Sequence, residues 1–341
     1  MRKKVLVTGG AGYIGSHTVV ELFNAGYEPI ILDDFRNSDE SVLKGISQII
    51  GIKPELLKCD VCDTKKISKY IKENEICGLI HFAAYKAVGE SVENPLHYYQ
   101  NNIEGLVSVL KVISMNPEIT FVFSSSCTVY GEPVGQKEVT ETTEKSIPTS
   151  PYGYTKWLGE QIINDVFKSA PGLRLMSLRY FNPIGAHEST AIGELPLGKP
   201  NNLIPFITQT AAGLHDQLTI FGNDYPTIDG TCVRDYIHVV DLAEAHVKAL
   251  GFLTKASKGC HEVVNIGTGK GSSVLEMVHA FEQVNQVKLN YKFGPKRAGD
   301  VIEIYANVDY AKALLGWQSK KTVTDAVRDS WNWEKSIRSI E

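Results

Sequence analysis

The sequence predicts an α/β protein with a doubly wound parallel sheet and a smaller C-terminal α/β unit, and three observations predict it. Short β-rich runs alternate with helix-period stretches through the first half of the chain, the rhythm of repeated βαβ units. The first run ends in a glycine-rich turn that opens a helix. After Phe181 the texture changes: residues 182–202 are rich in Gly, Pro and Asn, and later elements are shorter. The expected division is 1–181, with a return segment near 235–255, and 182–341.

In chain order, Lys4–Thr8 reads as a buried strand and Tyr13–Ala25 as a helix closed by Gly26. Pro29–Leu32, Leu56–Cys59, Gly78–Phe82, Thr120–Ser124 and Arg174–Leu178 read as further strands. Between them lie helical patterns at Ser41–Ile50, Lys65–Glu73, Asn94–Met115 and Tyr152–Lys168. The helical run Leu242–Leu250 is the candidate return to the first unit. Right-handed crossovers put helices on both faces of such a sheet.

The turn Gly9-Gly10-Ala11-Gly12-Tyr13-Ile14-Gly15 satisfies GxGxxG and GxxGxxG. Glycines permit a tight turn and let backbone N–H groups approach a pyrophosphate, and the helix that follows points its positive end at the same anion. Here the motif follows a strand and opens a helix, the Rossmann-type context that makes it specific. The second strand ends in Asp33-Asp34, with Asp33 eighteen residues past Gly15. A carboxylate there accepts hydrogen bonds from ribose hydroxyls and repels a 2′-phosphate, which favours NAD over NADP. Arg36 works against that preference.

Tyr152 and Lys156 form YxxxK at the start of a helical pattern, one turn apart on one face. The spacing lets an ammonium sit beside a phenol. Free tyrosine titrates near ~10, so a base at neutral pH needs about 4 kcal/mol of preferential phenolate stabilisation. Lys156 and the positive ring of NAD+ are the expected sources. Ser126 lies just beyond the strand Thr120–Ser124, at the end where parallel sheets bind ligands. Its hydroxyl can relay the proton.

Composition narrows the classes. A formal net charge of −4 provides no basic excess for nucleic acid. The opening MRKKVLVTGG lacks the long apolar run of a signal peptide, and no apolar stretch has membrane-spanning length. Six scattered cysteines, with one isolated CxxC at Cys59 and Cys62, fit a reducing compartment rather than a disulfide or zinc scaffold. The nine histidines show no metal-ligand spacing. The expected location is the cytoplasm, without a metal.

With these residues in view, TGGAGYIGSH, SSSCTVYG and PYGYTK resemble the extended short-chain dehydrogenase/reductase family. HFAAYKAVGES (81–91), RYFNPIGAH (179–187), PNNLIPF (200–206), IFGNDYPTIDGTCVRDYIHV (220–239) and RAGD (297–300) resemble its UDP-galactose 4-epimerase branch, almost end to end. The resemblance implies NAD as cofactor and UDP-galactose and UDP-glucose as substrates. It implies inversion at sugar carbon 4 through a 4-keto intermediate, with Tyr152 as base, Ser126 as relay and Lys156 beside them. Tyr13 and Ile14 would lie along the pyrophosphate. Asp33, Asp34, Phe35, Arg36, Asn37 and Ser38 would surround the adenosine ribose, and Asp60 and Val61 would flank the adenine. Phe82, Ala83, Ala84, Lys86 and Asn101 would line the inner half of the cofactor site, with Phe181 near the nicotinamide.

On the sugar-nucleotide side the resemblance implies Asn182, Asn202, Leu203, Thr219, Ile220, Phe221, Arg234, Arg297 and Asp300, with Lys86, Ser126 and Tyr152 shared. The two arginines are natural diphosphate clamps. Ile304 stands where the family sets tolerance for N-acetylated sugars: a bulky tyrosine restricts, a small residue permits. Isoleucine departs from both and is stiff, so weak acceptance of N-acetylated substrates is expected. The family also implies a homodimer through the helices near 94–115 and 152–168. Two rivals remain. A 4,6-dehydratase of the same superfamily needs an adjacent Asp-Glu after the serine, where this chain has Cys127-Thr128. A non-catalytic NAD-binding regulator would not need Tyr152 or Lys156.

Overall fold

The computed structural model describes residues 2–133, 135–297 and 300–340, so Ala298 and Gly299 of the RAGD motif lie outside the described residues. The first part of the chain runs β1 (Lys4–Thr8), α1 (Tyr13–Asn24), β2 (Glu28–Asp33), α2 (Val42–Ile50), β3 (Glu55–Lys58), α3 (Thr64–Glu73), β4 (Ile76–His81), α4 (Val88–Glu93), α5 (Pro95–Tyr99), a π-helical turn at Gln100–Glu104, and α6 (Gly105–Ser114). It continues through β5 (Thr120–Ser126), a 3-10 turn at Cys127–Tyr130, β6 (Glu138–Val139), α7 (Pro151–Ser169) and β7 (Arg174–Tyr180). The later elements are β8 (Asn182–Ile184), α8 (Leu203–Ala211), β9 (Leu218–Phe221), β10 (Val233–Arg234), β11 (Tyr236–His238), α9 (Val239–Lys255), β12 (Cys260–Ile266), β13 (Ser272–Ser273), α10 (Val274–Asn285), β14 (Tyr291–Gly294), β15 (Glu303–Ala306), α11 (Asp309–Leu315) and α12 (Val323–Arg338).

Seven parallel strands form the central sheet in the order β12-β7-β5-β4-β1-β2-β3. The doubly wound sheet is therefore present. Its central strands are apolar on both faces, as parallel strands covered by helices must be. Val5 and Val7 pack with Ile31, Ile80 and Met176 against the α1, α2 and α9 side. Leu6, between them, packs with Ile30, Leu79 and Phe121 against α3, α6 and α7. A separate core around Ile204, Ile220, Met277, Phe281 and Trp331 supports the later elements.

Two expectations change. The single helix over Asn94–Met115 is broken into α5, a π turn and α6, because apolar spacing does not reveal one extra residue in a turn. The return to the central sheet is also longer than 235–255: α9 runs on to Lys255, and β12 then pairs with β7 from Cys260 to Ile266. Half-buried first residues in Cys260–Ile266, two of them polar, mask its period, since an edge strand is covered less completely than its neighbours.

Strand order reverses at β1, with β2 on one side and β4 on the other. In such sheets the crevice at the carboxyl ends of these strands is where ligands bind. A cleft lies there, lined by the turn after β1, the loops after β2 and β4, and a loop near 191–202 from the second half of the chain.

Candidate active site

The cleft floor is the glycine turn. Gly9 has φ +69°, and a Cβ there would come within 2.8 Å of the Ala83 nitrogen. A Cβ on Gly15 would lie 2.1 Å from the Gly9 carbonyl oxygen, so only glycine lets α1 start this close to β1. Gly12 caps α1 with no side-chain hydrogen bond, which leaves the first N–H groups of the helix to an anion. This geometry fits a pyrophosphate.

At the adenosine end Asp33 is buried and fixed. One carboxylate oxygen accepts from the Ala11 N–H (3.0 Å), the other from the Phe35 N–H (2.9 Å) and the Ser38 hydroxyl (3.0 Å). Phe35 adopts φ 63°, a left-handed conformation that a phenylalanine rarely takes. Asp33, Asp34, Arg36, Asn37, Ser38, Val61 and Asn101 line the cleft; Asp60 enters through Arg36, which it binds. Arg36 is thus engaged by Asp34 and Asp60 rather than standing free beside the ribose position.

Farther in, Phe82, Ala83, Ala84 and Lys86 line the cleft beside Tyr13 and Ile14. Sequence reasoning missed two residues here. Glu194 accepts from Lys86 (2.8 Å) and from the Asn202 side-chain amide (2.7 Å), while its carbonyl accepts from the Trp333 indole (3.0 Å). Asn102 bonds both backbone groups of Tyr85 and the Thr155 hydroxyl, which ties the β4 loop to α7. An acid in a loop and an asparagine in a helix carry no signal in a single sequence.

The reacting groups meet at the end of β5. Ser150 caps α7 by accepting from the Gly153 N–H (3.2 Å), and Pro151 begins the helix. Tyr152 and Lys156 therefore emerge on the first two turns, both buried and both lining the cleft. The Lys156 ammonium donates to the Ser124 carbonyl (2.7 Å) and lies 5.9 Å from the centre of the Tyr152 ring. Burial lowers the lysine to about 7. Burial also raises Tyr152 well above its ordinary value, the nearby Tyr180 adds to this, and a hydrogen bond with Ser126 opposes it. The protein matrix alone therefore holds the phenol's proton.

A second network braces this strand end. Glu160, one turn beyond Lys156, accepts from Ser125 (2.6 Å), takes both Nε and Nη2 of Arg179 (2.8 Å each) and accepts from Lys145 (2.6 Å). Burial would raise its pKa, but the bonds from Arg179 hold it down at about 2. The Ser124 hydroxyl pairs with that of Tyr180 (2.6 Å).

The sugar-nucleotide candidates divide. Phe221, Arg234, Arg297 and Asp300 come together: Asp300 takes two bonds from Arg297 (3.0 Å each) and lies 4.0 Å from Arg234, while Arg297 covers the Phe221 ring. Arg234 also counters the burial that pushes the Cys127 thiol to about 12, so its charge reaches the residue beside Ser126. Asn202, at the cap of α8, borders the large cleft with Leu203 next to it. Asn182 stands half-buried in β8, one residue past the buried Phe181. Thr219 lies on β9; Ile220 does too, but its side chain is core. Ile304 pairs in register with Arg234 and is buried with Phe181, Val129 and Tyr130, beside Cys127. Cys59 and Cys62 are free thiols, with burial pushing Cys62 up to about 11.

The family model described as GDP-mannose 4,6 dehydratase matches residues 6–330. A UDP-glucose 4-epimerase from Pasteurella multocida is 47% identical, over 97% of both chains. A UDP-glucose 4-epimerase from Stenotrophomonas maltophila, solved with bound NAD and formylated UDP-arabinopyranose, superposes with a TM-score of 0.95 at 43% identity, covering 100% of each chain. The Bifidobacterium longum UDP-glucose 4-epimerase, solved in complex with NAD+ and UDP, gives 0.94 at 42% identity, covering 99% of this chain and 100% of that one. A cleft that pairs a dinucleotide-type glycine turn with a buried Tyr–Lys pair, and relatives this similar from end to end, place the chain in the UDP-glucose 4-epimerase family of extended short-chain dehydrogenases/reductases.

Proposed function

We infer that the protein is an isomerase that interconverts UDP-galactose and UDP-glucose by inverting sugar carbon 4 through a 4-keto intermediate, with NAD bound in the cleft. The observation that carries this reading is the pair Tyr152 and Lys156 in the cleft that the glycine turn floors, with Ser126, at the end of β5, hydrogen-bonded to Tyr152 behind it. NAD+, when bound, supplies a hydride acceptor for carbon 4 and a positive charge beside the phenol, which offsets the burial that holds the Tyr152 proton.

Within that reading the chain's own groups divide the work. Tyr152 accepts the 4-hydroxyl proton and later returns it, with Ser126 as relay. Lys156 sits close enough to stabilise phenolate and is anchored by Ser124 so that it does not wander. Gly9, Gly12 and Gly15 take the pyrophosphate with Tyr13 and Ile14 along it, and Asp33 takes the adenosine ribose. Residues 1–181 with the return from the second half form the NAD-binding part, and 182–341 the UDP-sugar part. Arg234 and Arg297, the pair that converges on Asp300, are the groups for the UDP diphosphate. Contacts made there persist while the keto sugar turns over, so recognition belongs on the nucleotide half.

A homodimer is part of the proposal. Val107, Leu110, Ile162, Val166 and the exposed Met115 line an apolar groove between α3, α6 and α7, a surface that a second copy would cover. The cytoplasm is the proposed location; among the described residues no helix is long and apolar enough to cross a membrane. The dehydratase reading is less favoured because the 3-10 turn after Ser126, Cys127–Tyr130, carries no carboxylate.

Incubation with UDP-galactose and no added reductant tests the function. UDP-glucose is expected. A keto-deoxy sugar would establish the dehydratase, and absence of any turnover would refute catalysis.

A further inference from the structure

Arg36 sits at the mouth of the adenosine end and touches three separate segments. Its Nε donates to Asp34 (2.6 Å), its Nη1 donates to Asn101 on the π turn (3.1 Å), and its Nη2 contacts both Asp34 and Asp60. Each acid is itself held: Asp34 accepts from the Arg36 N–H (3.1 Å), and Asp60 accepts from the Cys62 N–H (2.8 Å). The bond to Asp34, with that to Asp60, raises the guanidinium pKa further.

Arginine at the end of a second Rossmann strand is well suited to a bidentate grip on a phosphate. Here the fork that would make that grip already points at carboxylates. With Asp33 the cluster holds three acids to one base, a net charge of −2. We propose that Asp34 and Asp60 are cofactor-selectivity residues that act through Arg36: by clamping the guanidinium across the adenosine mouth they withhold it from a 2′-phosphate, so NAD is chosen over NADP by this clamp as well as by Asp33. The proposal rests on NAD being the cofactor and deepens that reading.

The test reads the nucleotide that the purified holoenzyme carries, by acid release and separation of NAD from NADP. The unmutated protein is expected to carry NAD; if it carries NADP, or neither, the cofactor reading itself fails before any variant is made. The pair Asp34→Asn with Asp60→Asn keeps the side-chain shapes and removes both charges that clamp Arg36, while Asp34→Asn alone removes one and leaves Asp60 in place. A new charged hydrogen bond to phosphate then raises the NADP-to-NAD ratio at least about tenfold. Any loss of an adenine contact from Asp60 weakens both nucleotides alike and leaves the ratio unchanged. Adding Arg36→Gln to either background should return the ratio to the unmutated value. The clamp is overturned if the acid variants keep the original ratio, or if the gain persists without Arg36, which would mean that the acids act by repulsion alone. Where the double variant does not fold, Asp34→Asn carries the test as a smaller rise in the same ratio, which Arg36→Gln should abolish, and no rise overturns the clamp.

Discussion

Replacing Lys156 with methionine should destroy turnover and yet make the folded protein more stable. The ammonium is buried, with one hydrogen bond to the Ser124 carbonyl. Its lowering from 10.5 to about 7 corresponds to a cost of about 5 kcal/mol for holding the charge inside. The unfolded chain keeps the proton up to ~10.4, while the folded chain releases it near 7. The penalty is therefore complete below pH 7 and fades as pH rises toward the unfolded value, since the unfolded state binds more protons in that window. Methionine fills similar space without the charge, but it leaves the Ser124 carbonyl without its partner, at about 1–3 kcal/mol. The net gain expected at pH 6 is about 2–4 kcal/mol. Urea unfolding of both proteins at pH 6 and pH 9, with nucleotide content matched, measures it. The advantage should shrink at pH 9. A variant no more stable at pH 6, or one whose advantage is the same at both pH values, would refute the reasoning that Lys156 is a cation kept in place against burial.

Other substitutions probe the neighbouring parts. Tyr152→Phe removes only the phenol oxygen and should reduce epimerisation ~10²–10⁴-fold while NAD stays bound; near-normal turnover would remove Tyr152 from the role of base. Glu160→Gln leaves Arg179 buried without its counter-charge and should cost about 3–5 kcal/mol in urea unfolding; a loss within experimental error would show that the network does not brace β5. Ile304→Ser should raise turnover of UDP-N-acetylgalactosamine and leave UDP-galactose less affected, against an unmutated preference of ~10–200-fold. Equal kcat/KM for the two substrates in the unmutated protein would show that the residue paired with Arg234 is no barrier.

The parts legible in the sequence share one property: their chemistry is local. The strand β1, the glycine turn and the opening of α1 are adjacent in the chain, so a phosphate cradle could be read from a dozen residues. The Tyr152–Lys156 spacing is likewise one helical turn. What escaped depends on distant partners. Glu194 matters because Lys86 approaches from 108 residues away. The engagement of Arg36 needs Asp60, 24 residues on, and Asn101, 65 residues on. The π turn inserts a residue without disturbing the apolar pattern of its flanks, and it is what carries Asn101 to the cleft and Asn102 to Tyr85. The edge strand β12 escaped because its half-covered first residues dilute the apolar run by which the inner strands announce themselves.

The indole of Trp333, bonded to the Glu194 carbonyl, has a consequence for how the protein comes into being. Gly193 lies so close under that ring that a Cβ would stand 2.4 Å from it, so the segment closing the cleft takes its shape from α12. The glycine turn leaves the ribosome first, and the wall opposite it is set only when position 333 has followed. At synthesis rates of ~5–20 residues per second the two events are on the order of half a minute apart. During that interval a nascent chain can fold its first βαβ units and present open N–H groups to any passing nucleotide, but with nothing to retain it. The cleft's two walls thus come from stretches of chain made far apart in time, and the wall opposite the glycine turn waits on α12 for its shape.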